Sequence, residues 1–127
     1  MFVTLTNKTG AASVKGTIVQ SHASIDDAVI TASASSVSAI GVIYEDGVPD
    51  GSPVKVVVGG KAQVLLQNGT DAAGGNFCYV SSTPGRMDQG VLGVIISLLI
   101  LAGGIGQSLQ TFTGGTDKLC WVQLSFN

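Results

Sequence analysis

The chain has 127 residues, enough for one hydrophobic core, so residues 1–127 are read as a single domain. Charged residues make up 11% and hydrophobic ones 45%, with mean hydropathy +0.46, which excludes a solvated disordered tail and leaves too few charges to cover an isolated monomer. Net charge is −2, and six basic residues (Lys8, Lys15, Lys55, Lys61, Arg86, Lys118) lie scattered with no stripe to follow a phosphate backbone, which speaks against nucleic acid.

In chain order, residues 2–6 (FVTLT) read as a first strand stopped by Asn7-Lys8-Thr9-Gly10; residues 1–13 also have the makings of an arm. No charged segment followed by an apolar run opens the chain, so no secretion signal is expected. A second strand is predicted over 14–20, with Gly16 weakening it or marking a bulge. Strands over 28–34 and 39–44 follow, joined by a serine-rich link; the Ser and Ala content keeps helix open for the former. The Asp-Gly steps at 46–47 and 50–51 mark a turn before a strand over 54–58. Gly59-Gly60 then predicts a two-residue turn, with 61–67 returning as the hairpin partner. Asn68-Gly69 is another turn, 71–76 a loop of small residues, and 77–81 a strand ended by Ser82-Thr83-Pro84-Gly85.

Residues 91–102 (VLGVIISLLILA) are the most apolar stretch. A membrane-spanning helix needs about 20 such residues, so a buried or intersubunit element is expected and no membrane partner. Val94, Ile95, Ile96, Leu98 and Leu99 are the interface candidates. Strands over 105–113 and 118–126 close the chain across a Gly114-Gly115-Thr116-Asp117 turn. In the last strand Cys120, Val122, Leu124 and Phe126 alternate onto one face, leaving Leu119 and Trp121 on the other. The expected fold is all-β: a single-domain antiparallel β-barrel, β-tulip or sandwich with few or no helices.

Chemistry-bearing constellations are sparse. His22 is the lone histidine, near Asp26 and Asp27, and no Gly-x-Ser-x-Gly elbow accompanies it, so no catalytic residue is assigned. Glu45, Asp46 and Asp50 invite a calcium reading, but the alternating ligands and distal glutamate of a calcium loop are missing. Gly59-Gly60-Lys61 lacks the upstream glycine and following Ser or Thr of a phosphate loop. Cys78 and Cys120, far apart in the sequence and in different surroundings, read as small buried hydrophobes in a reducing compartment. No metal and no cofactor are expected, and the chain is read as a binding protein, not an enzyme.

Asn7-Lys8-Thr9-Gly10 with Val14-Lys15-Gly16-Thr17-Ile18-Val19, and Gly41-Val42-Ile43-Tyr44-Glu45-Asp46-Gly47, resemble the small virion proteins of tailed bacteriophages. So do Asp50-Gly51-Ser52-Pro53 with the strand after it, Ile105-Gly106-Gln107-Ser108, and the closing Leu124-Ser125-Phe126-Asn127. These are turn and strand patterns, and the apolar stretch from Gly90 to Gly104 departs from them. The group comprises capsid decoration (cement) and related head accessory proteins. The resemblance implies a β-barrel or β-tulip, often a homotrimer, bound to the major capsid protein on the capsid exterior and assembled in the host cytoplasm. A tail or fibre component is the alternative, and a small-ligand-binding barrel the second alternative.

Overall fold

The computed structural model describes residues 1–90 and 104–126. Among the described residues it contains ten strands and no helix: β1 (Phe2–Asn7), β2 (Ile18–Ser21), β3 (Ala28–Thr31), β4 (Ala39–Ile43), β5 (Pro53–Val57), β6 (Gly60–Leu65), β7 (Phe77–Val80), β8 (Met87–Gly90), β9 (Gly104–Ser108) and β10 (Leu119–Leu124). The all-β expectation holds, and the Ser- and Ala-rich stretch left open to helix forms β3. The run 91–102, with its candidates Val94, Ile95, Ile96, Leu98 and Leu99, lies outside the described residues. No described helix is long and apolar enough to cross a membrane.

The first five strands close into a barrel in the order β1-β3-β2-β4-β5, with β1 and β3 parallel and the remaining pairs antiparallel. β1 is hydrogen-bonded on both sides, so the first strand, also considered as part of an arm over 1–13, is a stave of the barrel. Val19, Val29, Ile43, Val54 and Val56 fill the interior and are all but inaccessible, with Leu5 packed against them. Five strands enclose a narrow tube that such side chains fill; barrels that hold a ligand are built from about eight.

The remaining strands form a second sheet in the order β6-β10-β9-β7-β8. Its two edges meet at one point, a bridge between Leu66 and Met87 with the Gln67 amide donating to the Met87 carbonyl at 2.8 Å. The strand period of two explains how barrel and sheet share a core. In β2 and β4, Val19 and Ile43 point into the barrel, while the adjacent Ile18 and Val42 point outward against the second sheet. There they meet Ala62, Val64, Cys78, Ile105, Cys120 and Val122. Cys120, Val122 and Leu124 do share the buried face of β10, with Phe126 packed on the same core.

Two local expectations are corrected, and one strand is added. The Gly59-Gly60 hairpin does not form: β5 pairs with β1 and β4 in the barrel, while β6 pairs with β10 in the other sheet. A type I′ reversal needs φ > 0 at both central residues, and only Gly60 (φ +79°) has it. The glycines pass the chain from one sheet to the other. Secondly, the predicted 14–20 strand begins only at Ile18, because the chain turns at Gly16, whose φ is +89° and where an added Cβ would run into Leu65 and Leu119. The added strand is β8: Met87-Asp88-Gln89-Gly90 carries no alternating apolar signal, and its ladder with β7 is what defines it.

Candidate interaction surface

The residues singled out for chemistry mostly hold loops. Asp46 Oδ1 accepts the Lys15 amide at 2.6 Å, Asp50 Oδ1 accepts the Gly10 amide at 2.8 Å, and Glu45 Oε1 accepts the Lys55 amide at 2.9 Å. These carboxylates are brought close in the chain but each is turned onto a different backbone donor. Among the described residues no group of three or more His, Cys, Asp or Glu is placed to hold a metal. His22 Nδ1 accepts the Ser24 and Ile25 amides, both at 3.1 Å, which makes it the cap of its own loop. The two cysteines, read as lying in different surroundings, belong to one core, flanking β9 on β7 and β10. Burial, with Cys120 adding to it, pushes the Cys78 thiol from 9.0 up to about 12, so no thiolate is available there.

Three exposed apolar side chains, Met1, Phe2 and Tyr44, meet at one place. Along β1 and β5 the register sets Phe2 beside Val57, and the β4 end places Tyr44 on the same outer face of the barrel. Phe2 and Tyr44 are about half exposed and meet edge to face at 4.8 Å between ring centroids. Opposite them the second sheet presents the non-core face of β6 and β10, where Trp121 pairs with Gln63 and Lys61 with Gln123. Lys61 Nζ lies 4.8 Å above the Trp121 ring, and Lys15 Nζ lies 5.6 Å from the Tyr44 ring, both within cation–π range. Between the two walls is a hollow of about 80 Å³ lined by Met1, Phe2, Lys15, Tyr44, Lys61 and Trp121 among others. The hollow is open to solvent on one side and has room for a small aliphatic side chain.

Among the described residues the ion pairs are Lys8–Asp50 and Arg86–Asp117, so neither lysine at the hollow is matched by a carboxylate. The rim is thus aromatic, with two ammonium groups that lie over rings and are paired with no described carboxylate. None of these residues stood out in the sequence. They come from positions 2, 15, 44, 61 and 121, and only the meeting of barrel and sheet unites them. The one available signal was Trp121 falling on the face of its strand opposite the core.

No protein-family model matches this sequence. No curated protein matches it either. Among solved structures, the head fibre gp8.5 N base of bacteriophage phi29 has a similar fold, with TM-score 0.64 over 100% of this chain and 95% of that one at 15% sequence identity.

Proposed function

We propose that this chain is a structural protein of a bacteriophage virion, bound to the outside of the head, where it decorates and stabilises the shell. The observation that carries this is the likeness in fold, over the whole chain, to a protein described as a phage head fibre base. The turn and strand resemblances read from the sequence point the same way. The physical logic is one of repeated weak contacts: a shell offers many equivalent sites, and linked binding events multiply modest affinities. On this proposal the chain acts by binding, its partners are the major capsid protein and further copies of itself, and a homotrimer is the expected assembly.

A fibre component is the second reading, favoured by the description of that same structure as the base of a head fibre. An antibody raised against the recombinant chain, applied to purified virions from the lysate that encodes it, separates the two. Label distributed over the head surface supports decoration, and label only at fibre attachment points supports the fibre reading. Virions lacking the gene are expected to release DNA at a lower temperature if the chain stabilises the shell. Absence of the chain from purified virions overturns both.

A further inference from the structure

We propose that the hollow between barrel and second sheet is a socket for a second copy of this chain, and that the plug is the Ile25-Asp26-Asp27 loop. Several exposed aliphatic side chains lie elsewhere on the surface, including Val14, Val37 and Leu109, but Ile25 is the one immediately followed by two exposed carboxylates. The socket has the complementary arrangement: room for one aliphatic side chain, with Lys15 and Lys61 on its rim. Ion pairs among the described residues leave Asp26, Asp27, Lys15 and Lys61 all unmatched within one chain.

The loop is held in shape before any contact. His22 Nδ1 accepts the Ser24 and Ile25 amides, the Asp27 carbonyl accepts the Thr6 amide at 2.7 Å, and Asp27 sits at φ 51°. A plug ordered in advance loses little conformational freedom on docking. Its anchorage also prevents it from reaching its own socket. Asp27 is tied to Thr6 at one end of β1, while Phe2 lines the socket at the other, a separation of about 13 Å at the rise of an extended strand. Plug and socket are therefore different surfaces of one molecule. Their contact is head-to-tail, closing into a ring when the rotation between copies permits and running on as an open chain otherwise.

Sedimentation velocity on the full chain, from micromolar to several hundred micromolar, tests this without reference to any virion. The unaltered chain is expected to associate as concentration rises. Ile25→Ser and Lys61→Glu, each at an exposed position and checked for fold by circular dichroism, are each expected to weaken association by about tenfold or more. Asp26→Lys opposes Lys61 and should weaken it likewise. The double variant Asp26→Lys/Lys61→Glu, with its charges exchanged across the contact, should recover association relative to both single variants. A chain that stays monomeric throughout overturns the proposal, as does a double variant no better than the singles. Weakening by Lys61→Glu but not by Ile25→Ser overturns the plug, since the socket would then meet a different segment of the second copy. Virion localisation is decided separately, so either conclusion can fall alone.

Discussion

Gly106 stands in β9, the middle strand of the second sheet, paired with Cys78 on one side and Leu124 on the other. Its φ is +148°, and a Cβ placed on it would run into the carbonyl of Gln123 and lie 3.1 Å from the Leu124 Cα. Those atoms are backbone of β10, which β6 pins from its far side, so they have nowhere to retreat. Gly51 is the natural control: its φ is +89°, but a Cβ there meets nothing within 4 Å. Gly51→Ala therefore adds only backbone strain, about 1–2 kcal/mol. Gly106→Ala adds overpacking to a backbone strain of about 1–3 kcal/mol, for a total of about 2–6 kcal/mol against a folding stability of order 5–15 kcal/mol. Urea unfolding followed by the fluorescence of the single tryptophan, Trp121, reads the difference. The midpoint of Gly106→Ala should fall by about 1 M or more at unchanged slope, and that of Gly51→Ala by clearly less. Equal midpoints for the two variants would refute the packing argument for β9.

Two further outcomes follow from buried groups. Asn7 is fully buried, with Nδ2 donating to the Ala11 and Val48 carbonyls at 3.0 and 2.9 Å and Oδ1 accepting the Thr9 amide and hydroxyl at 3.0 and 2.7 Å. Asn7→Ala strands those partners, and a loss of about 2–4 kcal/mol in the same urea assay is expected, where less than 1 kcal/mol would show that water replaces the amide. The raised Cys78 thiol sets an alkaline limit: above pH 9 the unfolded chain sheds this proton while the folded one keeps it, up to about 12. The unfolded state then binds fewer protons, so stability is intact below pH 9 and declines as pH rises from there towards 12. Tyr79, raised by burial and then by the Asp88 charge, acts in the same direction. Cys78→Ala should flatten that decline, and native Cys78 should resist alkylation at pH 8 until the chain is unfolded; rapid native labelling would contradict its burial.

By itself the sequence determined the class of fold and most of its elements. Short β-branched runs cut by Gly, Asn and Asp are sufficient for strands and turns, because strand alternation and φ > 0 are properties of a few adjacent residues. The buried alternation of Cys120, Val122 and Leu124 was legible for that reason. Which strands pair was not. Val54 and Val56 find better partners in Leu5 and Val3 than across Gly59-Gly60, and that choice depends on residues some fifty positions away. The same limit hid Asn7, whose neighbours in the sequence announce only a turn, yet whose amide ties residues 9 and 11 to the loop at Val48. It hid the socket as well: Phe2, Lys15, Tyr44, Lys61 and Trp121 have no shared periodicity. Only the tertiary structure decides where the outer face of a barrel meets the outer face of a sheet, because that junction is set by the packing of Ile18, Val42 and Val57 against Ala62, Val64 and Val122.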